Sequence, residues 1–105
     1  MQNFVPVATL DELGPGKTKR IRIEDHPILL ANVDGDIYAC DDNCTHEDSS
    51  LYLGCLKGEL ISCTLHGSRF IVITGEPQDA PATIALKTYE VRVEDGGVLI
   101  NPQPR

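Results

Sequence analysis

Tryptophan is missing from this 105-residue chain, and aromatic residues make up only 5% of it, so no core built on large rings is available. The interior has to be packed from Val, Ile, Leu and Ala. An apolar fraction of 41% supplies enough of them for one compact domain spanning residues 1–105. A basic excess is also missing: 9 Lys and Arg face 16 Asp and Glu, a net charge of −7. Binding nucleic acid takes a cationic face that displaces counterions from phosphate, so that class is excluded. The same acidity fits either plain solubility or a basic protein partner. No apolar run approaches the roughly twenty residues that cross a bilayer, so no membrane association is expected. The opening MQNFVPVATLDEL lacks a basic stretch followed by an apolar one. No secretory signal is therefore expected, and the cytoplasm is the expected compartment. There the 4 cysteines are better read as ligands or free thiols than as two disulfides.

Strand signals dominate. Thr9-Leu10-Asp11-Glu12 has the spacing of a capping box and predicts one short helical turn, stopped by Gly14-Pro15-Gly16. Lys19 to Ile23 alternates polar and apolar residues, as a half-buried strand does. Pro27 to Val33 is a short apolar run, Asp34-Gly35 suits a tight hairpin turn, and Asp36 to Cys40 pairs back. Thr88 to Val93 alternates strictly and predicts one continuous strand. Asp95-Gly96-Gly97 then turns the chain into Val98-Leu99-Ile100. Many short strands with Gly-rich turns predict an all-β antiparallel sandwich or barrel. Residues 41–59 read as polar loop, and 75–82 as a second irregular loop. Loops this long in a small domain point to function.

The chemistry lies in two short motifs, Cys44-Thr45-His46 and Cys63-Thr64-Leu65-His66. Each offers one thiolate and one imidazole. Two thiolates can hold one iron of a [2Fe-2S] unit while two imidazoles hold the other, so each loop would grip both metals. Two thiolates also cancel the charge of the oxidised core, and a neutral cluster accepts an electron more readily than one held by four thiolates. Zinc also takes two Cys and two His, but its modules usually open with a Cys pair rather than Cys-x-His. A Cys–His thiol catalyst would not need two such pairs. Unrelated core and surface positions would make the matched pairs a coincidence.

Taken together, Cys44-Thr45-His46 and Cys63-Thr64-Leu65-His66-Gly67-Ser68 resemble the Rieske signature, Cys-x-His followed by Cys-x-x-His. The likeness extends to Asp34–Ala39 before the first motif, Leu56–Leu60 before the second, and the C-terminal hairpin Tyr89–Ile100. Thr74–Pro77 with Ala80-Pro81-Ala82 resembles the proline loop that shields the cluster in the family. The resemblance is to the Rieske ferredoxins of bacterial ring-hydroxylating oxygenase systems. It implies a Rieske-type antiparallel β-sandwich or barrel with a small cluster-binding subdomain at about residues 41–72. It also implies one [2Fe-2S] cluster on Cys44, His46, Cys63 and His66. By that resemblance the chain is a monomeric one-electron carrier. It would pass electrons from a ferredoxin reductase to a terminal oxygenase, probing no substrate and catalysing nothing itself. The fold also resembles small subunits of assimilatory nitrite reductases, many of which lack the ligands. A zinc-binding interaction module is the reading from a different class.

Departures from the family carry information. Ser49 and Leu65 stand where respiratory members have a disulfide, and Phe70 stands where they have a tyrosine hydroxyl, although Ser68 keeps the serine. Glu47 follows the first His where many oxygenase ferredoxins have Gly. These changes place the expected potential toward the low end of the Rieske range of about −150 to +300 mV. Cys40 and Cys55 are read as small buried or half-buried thiols. His26 is read as a surface histidine. Asp41, Asp42, Glu47 and Asp48 are read as a solvated acidic loop or, more sharply, as a docking patch. Glu24 is placed at the base of the domain, away from the two motifs.

Overall fold

Asp34 and Gly35 take φ of 53° and 99°, and the hairpin they turn is the centre of the molecule. The computed structural model describes residues 3–43, 50–63, 68–78 and 84–104. Ten strands are assigned there: β1 (Val5–Thr9), β2 (Thr18–Ile23), β3 (His26–Val33), β4 (Asp36–Asp41), β5 (Cys55–Lys57), β6 (Leu60–Ser62), β7 (Arg69–Ile71), β8 (Thr88–Tyr89), β9 (Val91–Glu94) and β10 (Gly97–Ile100). They form three antiparallel sheets ordered β1-β10-β9, β2-β3-β4-β8 and β5-β6-β7.

The middle sheet is buried on both sides, which is why Pro27–Val33 is an apolar run and not an alternation. Successive side chains on a strand point to opposite faces. Ile28 and Leu30 of β3, with Ile37 and Ala39 of β4, face one core together with Leu13, Tyr89, Val98 and Ile100. Leu29, Ala31 and Cys40 face the other, with Leu51, Ile61, Cys63, Phe70, Val72 and Leu86. The first core joins the middle sheet to β1-β10-β9. The second joins it to β5-β6-β7. The expected sandwich therefore gains a third layer.

The turn after β1 forms as its residues predict, a 3-10 turn over Leu10–Glu12. The Glu12 carboxylate accepts the Thr9 backbone N–H at 2.8 Å and the Thr9 hydroxyl at 3.2 Å. These bonds, the backbone one first, hold its carboxyl below the usual range. Two expectations are corrected. Thr88–Val93 is not one strand: β8 pairs with β4, whereas β9 pairs with β10 in another sheet. A chain that changes sheets must leave its ladder, and Glu90 is the residue between, its carbonyl accepting Asn101 N–H at 3.0 Å. Residues 41–59 are not all loop, because they contain a 3-10 turn over Leu51–Leu53 and β5, so Cys55 lies on a strand. Three-residue strands are too short to show periodicity. Val5–Thr9 carries a strand that the sequence pattern did not single out.

Candidate metal centre

Strand β4 ends at Asp41, and the chain leaves the sheet toward the first motif through Asp42 and Asn43. An isolated bridge pairs Asn43 with Ser50, and Leu51 N–H donates to the Asp42 carbonyl at 2.6 Å. These bonds close the stem around residues 44–49. A second stem closes where Cys63 N–H donates to the Ser68 carbonyl at 2.7 Å, around residues 64–67. A third is built by the Phe70–Pro77 bridge, by Gln78 N–H donating to Arg69 carbonyl at 2.7 Å and by Leu86 N–H donating to Gly75 carbonyl at 2.8 Å. It carries residues 79–83. Cys44, His46, His66, Glu47, Asp48 and Pro81 lie outside the described residues, as do Ser49 and Leu65.

One core gathers all three stems. Leu51 follows the first, Cys63 opens the second, Phe70 lies between the second and third, and Leu86 follows the third; all four are buried in the same cluster. Hydrophobic packing thus brings together chain ends far apart in sequence. Among the described residues, no three His, Cys, Asp or Glu side chains are grouped to hold a metal ion. Of the predicted ligands, the described one is Cys63, and it is only 3% exposed.

Asp42 is not the solvated residue expected. It is 1% exposed. Its carboxylate accepts the Ser50 hydroxyl through Oδ2 and the Tyr52 backbone N–H at 2.9 Å through Oδ1. Arg20 of β2 approaches Oδ2 to 4.0 Å and donates to Ser50 Oγ at 3.2 Å. Asp41 is also engaged: its Oδ1 accepts the Tyr89 hydroxyl and lies 2.8 Å from His26 Nε2, which is 2.9 Å from that hydroxyl. Burial first, then the Asp41 contact, pushes the Tyr89 hydroxyl above the ordinary tyrosine range. His26 is at the surface, as expected, but partnered. The sequence signal for this group was weak, since Tyr89 is distant from His26 and Asp41 in the chain. Glu24 is misplaced by the sequence reading. Ile23 pairs with His26 across the β2–β3 turn, and Asp42 N–H donates to Pro27 carbonyl at 3.3 Å. The Glu24-Asp25 turn therefore stands at the end of the sheet from which the first motif departs.

A family model of the Rieske [2Fe-2S] domain matches residues 3–90. The chain belongs to the Rieske [2Fe-2S] domain family. A biphenyl 2,3-dioxygenase ferredoxin component of Rhodococcus jostii is 36% identical over 90% of this chain and 89% of its own length. The ferredoxin component of naphthalene 1,2-dioxygenase/salicylate 5-hydroxylase systems of Ralstonia sp. is 37% identical over 94% of this chain and 95% of its own. Among solved structures, a chain from the complex of reduced oxygenase and oxidized ferredoxin in carbazole 1,9a-dioxygenase superimposes with a TM-score of 0.93 at 34% identity. That match covers 100% of this chain and 98% of the other. A nitrite reductase (NADPH) small subunit, at 24% identity and a TM-score of 0.79, shares the fold.

Cys63 and Ser68, the described residues at the second stem, suit a Rieske [2Fe-2S] group. The Ser68 hydroxyl is fully buried and, among the described residues, is the buried side-chain oxygen or nitrogen with no hydrogen-bond partner. A buried donor left unpaired costs about 1–3 kcal/mol. A sulfur acceptor held beside Cys63 would satisfy it. Phe70 is fully buried and carries no hydroxyl to offer a second such bond.

Proposed function

We propose that this chain is the ferredoxin of a multicomponent ring-hydroxylating dioxygenase, a one-electron carrier and not itself an enzyme. The observation that carries the reading is the near full-length likeness to dioxygenase ferredoxin components at 36–37% identity. Cys44 and Cys63 would hold one iron, His46 and His66 the other, within a cluster-binding subdomain of about residues 41–72. The separate β5-β6-β7 sheet supports that boundary. The cluster supplies reversible one-electron chemistry when bound.

The chain's own residues prepare the site. Leu51, Phe70 and Leu86 pack one buried core beside the stems of the three loops, and a dry floor of that kind would favour a neutral centre over a charged one. Ser68 offers a hydroxyl donor. Leu53 and Ile84, 68% and 65% exposed, leave the first and third stems with apolar side chains in solvent. Such side chains suit transient contact with a protein that must come within electron-transfer distance. The donor partner is a ferredoxin reductase and the acceptor a terminal oxygenase, met by a monomer in the cytoplasm. Among the described residues, no helix is long and apolar enough to cross a membrane.

Metal and sulfide analysis of the purified protein tests the reading. Two irons and two acid-labile sulfides per chain are expected. Cys44→Ser and Cys63→Ser should lose the visible spectrum, whereas Cys40→Ser and Cys55→Ser should keep it. Stoichiometric zinc without sulfide would overturn the assignment.

A further inference from the structure

The mouth of the first ligand loop is closed by side chains that the electron-carrier reading leaves unused. Asp42 reaches both partners across the stem: Ser50 with one oxygen and the Tyr52 amide with the other. Arg20 comes from β2 and bonds Ser50 at 3.2 Å. Its guanidinium also lies 5.6 Å from the centre of the Tyr52 ring. A carboxylate 1% exposed survives in a protein interior only where hydrogen bonds and a counter-charge replace its water. Here both are present. The arrangement ties three segments, β2, the β4 exit and the 3-10 turn, at one point.

Chain geometry makes this point matter. Asp42 precedes Cys44 by two residues, so their Cα atoms are at most about 7 Å apart. We propose that Asp42, clamped by Arg20 and Ser50, is the positioning residue of the first ligand loop. It fixes where the chain leaves β4 on its way to Cys44 and His46, and it places one compensated negative charge at that exit. The inference rests on the assignment of Cys44 and His46 as ligands. Two consequences separate it from a general role in stability. The clamp should govern how fast the loop lets go of the metal. Its two charges should also act on the potential with opposite signs, because a nearby anion disfavours the added electron and a nearby cation favours it.

The test uses the purified holoprotein. Asp42→Ala should speed loss of the visible spectrum under chelator by about tenfold or more, ~1.4 kcal/mol, and Ser50→Ala by about threefold. Asp42→Asn keeps an acceptor for Tyr52 and removes the charge, so it should raise the midpoint potential. Arg20→Gln should lower it, and Arg20→Lys should restore it. Amide exchange at Tyr52, measured by NMR or mass spectrometry, should speed about tenfold in Asp42→Ala. If Asp42→Ala does not fold, Ser50→Ala and the potential shifts of Asp42→Asn and Arg20→Gln decide. Release rates within twofold of wild type, or potentials shifting with the same sign, would overturn the positioning role while iron and sulfide remain bound. A wild-type protein with neither iron nor sulfide would instead overturn the ligand assignment. Tyr52 exchange, which does not depend on metal, would still report on the clamp.

Discussion

Burial pushes the Cys40 thiol up to about 12, with the nearby carboxylates of Asp41 and Asp42 adding to the shift. A thiol held in its neutral form is neither a ligand nor a nucleophile at neutral pH. Cys55 has the same side chain on an exposed strand position. Iodoacetamide at neutral pH should therefore alkylate Cys55 of the holoprotein rapidly and leave Cys40 unmodified, as read by peptide mass spectrometry. An adduct on Cys40 without unfolding would contradict its buried placement. The same shift has a consequence for stability. The folded chain keeps the Cys40 proton in a range where the unfolded chain has released it. Stability is therefore whole below the ordinary thiol range, near pH 8.5, and is lost as pH rises toward the folded value of about 12. Urea unfolding should show wild type losing up to ~1.4 kcal/mol per pH unit relative to Cys40→Val across that window. Cys40 also helps to raise the Tyr89 hydroxyl, so the difference reports the thiol together with its influence on Tyr89. Parallel curves would show that the thiol is not the group responsible.

At the scale of elements, turns explain most of what forms and where it is strained. The β2–β3 turn puts Glu24 and Asp25 at φ of 51° and 67°, left-handed backbone that costs an ordinary residue about 1–2 kcal/mol. The double change Glu24→Asn, Asp25→Gly supplies the preferred hairpin dipeptide and should stabilise the fold by about 1 kcal/mol in denaturant titration. A destabilised variant would mean that the two carboxylates contribute more than the strain removes. Gly75 is the opposite case. Its φ is 83°, and a Cβ there would overlap the Leu86 carbonyl oxygen, the residue whose N–H bonds back to Gly75. Gly75→Ala should lower stability by about 2 kcal/mol or more and speed cluster loss, because it pries open the third stem. The alternating segment Thr88–Val93 shows where local pattern stops being informative. Val93 is 45% exposed although the alternation continues through it, because burial follows the sheet a strand joins and not its periodicity.

For the whole molecule, a net charge of −7 favours encounter with basic partner surfaces. Electron-transfer rates with a cognate reductase should fall as salt rises, since screening sets in over about 8 Å at physiological ionic strength. Glu47→Lys or Asp48→Lys should slow association and spare the visible spectrum. Glu24 cannot serve as the remote control, given where its turn stands. Asp36 can: it is exposed and opens β4 at the end opposite Asp41. If Asp36→Lys slowed association as much as the loop reversals, overall charge and not a tip would explain the steering. How far the sequence reaches is visible in the same residues. The matched Cys-x-His and Cys-x-x-His pairs are local patterns with specific chemistry, so the sequence alone determined the family, the cofactor and the hairpin at Asp34-Gly35. Alternation and turn dipeptides likewise determined the all-β class. The tertiary structure alone decided that β3 and β4 form a middle layer between two cores, because that depends on which faces are covered. It also decided that Asp42 is buried against Arg20 and that His26, Asp41 and Tyr89 meet. Those contacts join residues up to 63 positions apart, and only the packing of the sheets brings such distant side chains within bonding distance.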